Sequence, residues 1–185
     1  MAPRSTSDSR TLAIVVDNEP GVLARVVGMF SARGYNIESL TVAETDRAAH
    51  TSRITVVTGG EPGIIDQIKA QLERILSVRQ VIDVTLDPAG VVRELALIKV
   101  RSTGQDRIEA LRVSDIFRAK VIDTTLESFI FEVTGSSDKI DAIIELMRPI
   151  GLVEVSRTGV LSIHRGAETD KVITSDAAKP AATSL

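Results

Sequence analysis

An apolar, β-branched run from Thr11 to Val16 passes without a spacer into Asp17-Asn18-Glu19-Pro20-Gly21-Val22-Leu23, and this junction leaves the chain few ways to fold. The run reads as a strand, and Val22, Leu23, Val26, Val27 and Phe30 follow at helical spacing. A strand that becomes a helix within a few residues needs a tight turn, which Asn and Gly supply. The first-turn N–H groups of the helix then point out of the junction, where they favour a small anion such as an amino-acid carboxylate. Arg33-Gly34 closes the helix, and Tyr35-Asn36-Ile37-Glu38-Ser39-Leu40 opens a second strand.

Asn18 and Gly21 admit two explanations. Structurally, Asp17-Asn18 forms an Asx turn and Gly21 serves a backbone that enters the helix tightly. Functionally, Gly21 leaves room for ligand atoms against bare main chain. Asn36, after the Gly34 stop, adds weight to the functional explanation, because it brings a second amide to an adjoining edge or to the facing edge of another subunit.

The rest of the chain states one plan twice. In the first half, strands over Ile37–Val42 and Arg53–Thr58 flank a charged turn at 43–49. Gly59-Gly60-Glu61-Pro62-Gly63 breaks the chain before a helix carrying Ile64, Ile65, Ile68, Leu72, Ile75 and Leu76. Val78–Leu86 is a further strand, ended by Asp87-Pro88-Ala89-Gly90. Leu95–Val100 then echoes Leu12–Val16. It is followed by a helix over Gln105–Phe117 anchored on Ile108, Leu111, Ile116 and Phe117, and by strands Val121–Leu126 and Phe129–Thr134. Ser136 or Ser137 caps a helix with Ile140, Ile143, Ile144 and Met147, and Gly151–Ile163 supplies the last strand material, interrupted at Thr158-Gly159.

Both halves read βαββαβ, so the expected class is α+β: two ferredoxin-like domains, each an antiparallel sheet with helices on one face. The expected limits are a flexible N-terminus at 1–10, domains at 11–87 and 88–168, and a flexible Ser-, Ala-, Lys- and Pro-containing tail at 169–185. Such small two-layer units leave a sheet face and edges to protect, which predicts self-association.

Composition narrows the chemistry. The 185 residues include no Cys, no Trp and two His, and 22 basic against 25 acidic residues give a net charge of −3. Thiol chemistry is excluded, and no His pair at ligand spacing predicts a metal site. No basic stripe predicts nucleic-acid binding, no apolar run reaches bilayer length, and residues 1–10 do not resemble a secretory signal. Gly59-Gly60 with Gly63 lacks the Lys and the spacing of a phosphate loop. Glu61, Glu73, Glu109, Asp141 and Glu145 read as solvated helix positions. The chain is therefore expected to be cytoplasmic, with no catalytic residue, metal ligand or cofactor of its own.

At residues 17–26, 30–31 and 33–40 the sequence resembles the small, regulatory subunits of acetolactate synthase (acetohydroxyacid synthase), whose N-terminal module is an ACT domain. Arg33-Gly34-Tyr35-Asn36-Ile37-Glu38-Ser39-Leu40 is the most specific match. Arg93–Val100, Phe117-Arg118-Ala119, Val121-Ile122-Asp123, Arg157-Thr158-Gly159 and Arg165-Gly166 extend the resemblance over about 11–168.

The resemblance implies a noncatalytic homodimer that binds and activates a large catalytic subunit carrying thiamine diphosphate, Mg and FAD, and confers feedback inhibition by valine in branched-chain amino-acid synthesis. It implies an effector site between N-terminal domains, with Asn18, Glu19, Pro20, Gly21, Val22 and Leu23 from one protomer and Asn36 and Ile37 from its mate. The second domain offers Ser102-Thr103-Gly104-Gln105 in place of an Asn-x-x-Gly element. The alternatives are a freestanding ACT-type amino-acid sensor acting on another enzyme, and a small isomerase or transferase, for which no residue pair nominates itself.

Overall fold

The computed structural model describes residues 9–166. The expected N-terminal segment at 1–8, the tail at 169–185 and residues 167–168 lie outside the described residues. Ser9 and Arg10, expected in a flexible N-terminus, instead begin the first strand. The chain forms two compact units, 9–91 with 162–166, and 92–161.

The first unit runs β1 (Ser9–Asp17), α1 (Val22–Ala32), β2 (Ser39–Asp46), β3 (Thr51–Gly59), α2 (Pro62–Leu72) and β4 (Val78–Asp83). Its sheet has the order β2-β3-β1-β4, with antiparallel pairing between all neighbours. α1 buries Val22, Val26, Met29 and Phe30, and α2 buries Ile65, Ile68 and Leu72. These stripes meet Leu12, Ile14, Val16, Ile54 and Val56 in one core.

Gly34 stops α1 at a φ of 70°. The Gly34 N–H donates to Ser31 O at 3.2 Å and the Tyr35 N–H to Phe30 O at 3.0 Å, the paired bonds of a Schellman ending. The Tyr35 ring then packs edge-on to Phe30 at 6.2 Å, which fixes the direction in which Asn36 leaves the helix.

Several expected boundaries move. β2 continues to Asp46, so the turn shrinks to 47–50, because residues 43–46 keep pairing with β3. α2 ends at Leu72, leaving Leu76 97% exposed. β4 stops at Asp83, whose carboxylate accepts from the Thr85 N–H at 3.0 Å and starts a 3-10 turn over Val84–Leu86. The sheet face away from the helices is also less open than expected. Ala13 and Val15, which alternate with the core residues of β1, are 0% and 3% exposed.

The second unit follows the same plan: β5 (Gly90–Arg101), α3 (Gly104–Ile116), β6 (Lys120–Thr124), β7 (Ser128–Gly135), α4 (Ser137–Gly151) and β8 (Leu152–Arg157); β9 (Leu161–His164), which comes next in the chain, belongs to the first unit from Ser162 on. The sheet order is β6-β7-β5-β8, with β9 also pairing with β5. Ser136 is the cap of α4, accepting from the Lys139 N–H at 3.4 Å. Ile140, Ile143, Ile144, Met147 and Ile150 fill the core from α4. α3 departs from expectation: Ile108, Leu111 and Ile116 are exposed, and Ala110, Val113 and Ser114 face inward with Phe117 partly buried. Glu94, 4% exposed, accepts from Arg157 Nε and Nη2 at 2.7 Å each, while Arg157 Nη1 donates to Asp141 on α4 at 2.6 Å. That bidentate pair ties β5, β8 and α4 together and raises the Arg157 pKa, Glu94 being the main cause. Among the described residues no helix is long and apolar enough to cross a membrane.

Gly151 joins α4 to β8 at a φ of 116°, and a Cβ there would run into the Arg101 carbonyl oxygen. Gly28, within α1, has only open space beside its Cα. Gly151→Ala is expected to cost about 2 kcal/mol or more, and Gly28→Ala to gain roughly 0.5 kcal/mol. Urea unfolding of the two full-length variants measures both changes; equal midpoints would refute the close approach at Gly151.

Candidate functional site

Asp17 leaves the sheet paired with Thr51, and the four residues to α1 are fastened on three sides. The Asp17 N–H donates to Ser77 O at 2.8 Å, and its carboxylate accepts from Arg79 at 2.6 Å. The Asn18 N–H donates to His50 O at 2.7 Å. His50 stands at a φ of 48° in the β2–β3 turn, a conformation that aims its carbonyl at the loop. Asn18 Nδ2 donates to Glu44 on β2 at 3.2 Å.

Glu19 turns back toward the protein. Its carboxylate accepts a very short hydrogen bond from the Ser77 hydroxyl and a 2.9 Å bond from Arg25, and Arg25 also donates to Ser77 at 2.8 Å. The Ser77 bond, then that from Arg25, holds the Glu19 carboxyl below its ordinary pKa. A carboxylate already engaged by two donors is a clamp for the loop more than a free arm for a ligand.

Gly21 precedes α1 at a φ of 85°, with nothing within 4 Å of where its Cβ would stand. It has no side chain with which to cap the helix; the Val22 N–H donates to Glu19 O at 3.3 Å, which leaves the Leu23 and Ala24 N–H groups of the first turn without an intrahelical acceptor. Both explanations of Gly21 thus have a physical basis: the left-handed backbone favours Gly, and the space beside it is open. Pro20 and Leu23 are exposed at the same mouth. Val22 is buried in the core, so only its main chain faces the junction.

Asn36 and Ile37 lie elsewhere. Asn36 is exposed and its carbonyl accepts from Thr58 Oγ1 at 2.6 Å, while Ile37 packs against the core. The strand register fixes their distance from the loop. Asp17 and Asp46 both pair with Thr51, whereas Thr11 and Ser39 both pair with Val57. The loop and the start of β2 are therefore at opposite ends of the sheet, roughly 20 Å apart along the strands. One protomer does not bring the two groups together.

Sequence reasoning missed Ser77, Arg25, Glu44, Arg79 and the His50 carbonyl as parts of the site. Glu19 and Arg25, six apart across a helix start, were the one local signal. The others come from 26 to 62 residues away, a separation that no local pattern encodes.

Residues 12–80 match the family described as the acetohydroxyacid synthase small subunit-like ACT domain, and residues 93–166 match the small subunit of acetolactate synthase. A probable acetolactate synthase small subunit of Archaeoglobus fulgidus is 44% identical over 84% of this chain and 96% of its own. The chain belongs to the acetolactate synthase small-subunit family. The isozyme 3 small subunit of Salmonella typhimurium is 41% identical over 89% of this chain and 98% of its own. The crystal structure of the Thermotoga maritima small subunit superposes with a TM-score of 0.77 at 35% identity, covering 85% of this chain and 98% of that one. Members of this family are small, regulatory subunits, and the chain is noncatalytic in that sense. The α+β class and the paired ferredoxin-like units accord with the ACT-domain match and with that structure.

The clamp makes a pH-dependent prediction. A depressed Glu19 pKa contributes stability that is present above the unfolded carboxylate value and lost as pH falls through the lower folded value. Ser77→Ala should move the Glu19 carboxyl back up, as read by NMR titration. Its stability deficit against the parent should be full at neutral pH and shrink on acidification. A deficit independent of pH would assign the loss to packing instead.

Proposed function

We propose that two copies of this chain pair through their β2 edges and hold valine between them, and that this site controls a catalytic acetolactate synthase subunit bound elsewhere on the dimer. The carrying observation is the register. β2 is an edge strand, and its start lies at the opposite end of the sheet from the loop at Asn18–Leu23. Antiparallel apposition of two β2 edges carries Asn36 and Ile37 of one protomer to the end where Asn18 and Glu44 of the other stand. Each edge then covers the other's unpaired backbone groups.

In that arrangement the α1 first-turn N–H groups and the open space at Gly21 receive the effector carboxylate. Asn36 from the mate supplies an amide, and Leu23 and Ile37 border the branched side chain. An effector held across the pair favours one relative geometry of the protomers, with leverage equal to its differential affinity for the alternative. The large subunit carries thiamine diphosphate, Mg and FAD, gains activity from the complex and loses it when valine binds. The assembly works in the cytoplasm in valine and isoleucine synthesis.

Two substitutions test the site. Gly21→Asp keeps a residue type that tolerates positive φ while placing negative charge at the carboxylate position. Asn36→Ala removes the facing amide at a cost of about 1 to 3 kcal/mol in valine binding. Both variants should sediment as dimers and still activate the catalytic subunit, with valine inhibition weakened. Calorimetry on the small subunit separates lost binding from lost transmission. Unchanged valine affinity in both would remove 18–23 and 36–37 from the site, and activation of a different enzyme in place of acetolactate synthase would favour the freestanding sensor.

A further inference from the structure

Asp17, Glu19 and Asp46, carboxylates at the loop end of the first sheet, are already engaged. Asp17 accepts from Arg79 at 2.6 Å, Glu19 accepts from Ser77 and Arg25, and Asp46 accepts from the N–H groups of Ala48 and Ala49 at 2.8 and 3.1 Å. Glu44 is held differently. One of its oxygens accepts from Asn18 Nδ2 at 3.2 Å, and the other stands 3.4 Å from Arg47 Nε, whose side chain is 93% exposed. An ion pair that open contributes little and parts readily. Glu44 thus keeps one oxygen that a ligand can take.

Strand register decides where the Glu44 side chain projects. Glu44 pairs with Ser52, and Ser52 pairs with Val16. Residues opposite one another share a face of the sheet, and Val16 lies in the core that α1 and α2 cover. Glu44 therefore stands on the helix side, at the end of the sheet where α1 begins. Val42, two residues back on β2, shares that face and is 44% exposed.

An amino acid brings charges of both signs to this mouth. Its carboxylate is met by the Leu23 and Ala24 N–H groups, but the positive end of a helix opposes a cation. An ammonium group held beside it calls for a counter-charge from another element. Of the four carboxylates at this end of the sheet, Glu44 is the one with a loosely held oxygen, and Asn18 fixes its position.

We propose that Glu44 is the counter-ion for the effector's ammonium group, so that the site selects an α-amino acid over the corresponding carboxylic acid. This assignment rests on the valine site proposed above and adds a specificity-determining residue to it. Asn18, bonded to the first Glu44 oxygen, orients the second toward the ligand, and Val42 extends the apolar border for the branched side chain.

The test is a titration of the full-length, isotope-labelled protein, followed by NMR at the amides of Gly21, Leu23 and Ala24. L-valine is compared with isovalerate, which has the same branched chain and carboxylate but no ammonium. The parent protein should bind L-valine more tightly than isovalerate. Glu44→Gln retains an oxygen that accepts from Asn18, so the loop keeps its fastening. This variant should weaken L-valine binding about tenfold and leave isovalerate binding no weaker. Equal loss for both ligands would give Glu44 a structural role alone, and undiminished L-valine affinity would take it out of the site. Either result overturns the assignment and leaves the valine site standing. Absence of L-valine shifts at these amides in the parent protein would overturn both.

Discussion

The burial of β1 is the constraint on which the first unit depends. Leu12 to Val16 are all buried, and since neighbouring side chains of a strand point to opposite faces, the sheet is covered on both sides at its centre. β1 pairs with β3 along its whole length and with β4 over 12–16. A one-residue slip would exchange Leu12, Ile14 and Val16 for Ala13 and Val15 beneath the helices, opening the core. The register is thus strongly set, and it places the Asp17–Gly21 turn at one end of the sheet and the start of β2 at the other. The site's need for a second protomer is a consequence of that register.

The two strand-to-helix turns show how one backbone device acquires different chemistry. Both use a left-handed Gly beside α1 or α3, and both leave the helix start without a side-chain cap. In the first turn the neighbouring side chains satisfy one another: Glu19 with Ser77 and Arg25, Asp17 with Arg79, Asn18 with Glu44. What remains for a ligand is main chain, open space and the loosely held oxygen of Glu44. In the second turn Arg101 pairs with Glu127, and among the described residues the buried Ser102 hydroxyl has no partner.

Legibility in the sequence followed the strength of the periodic signal. α1 and α4 were readable because Val22, Val26 and Phe30, and Ile140, Ile143, Ile144 and Met147, recur at helical intervals and are buried on one face. α3 is legible as a helix but its inward face is not, since Ile108, Leu111 and Ile116 are larger than the Ala110, Val113 and Ser114 that face inward. Ala110 and Val113 belong to one close-packed core with Phe129 and Phe131, and side-chain size alone gives no warning of which residues face it. Leu76 continues the apolar spacing of α2, yet the helix ends at Leu72 and leaves it exposed.

The sequence by itself determined the two βαββαβ units, the Gly-dependent turns and the family, because these rest on local periodicity, backbone conformation and a contiguous motif. Only the tertiary structure decided what surrounds the first turn. Ser77, Arg79, His50 and Glu44 come to it through strand pairing across dozens of residues, and pairing is chosen by the burial of whole faces. Tertiary structure also bent Glu19 back onto Ser77 and Arg25 and set Asn36 at the far end of the sheet. Those positions follow from register and side-chain direction, which long-range packing fixes and no short segment contains.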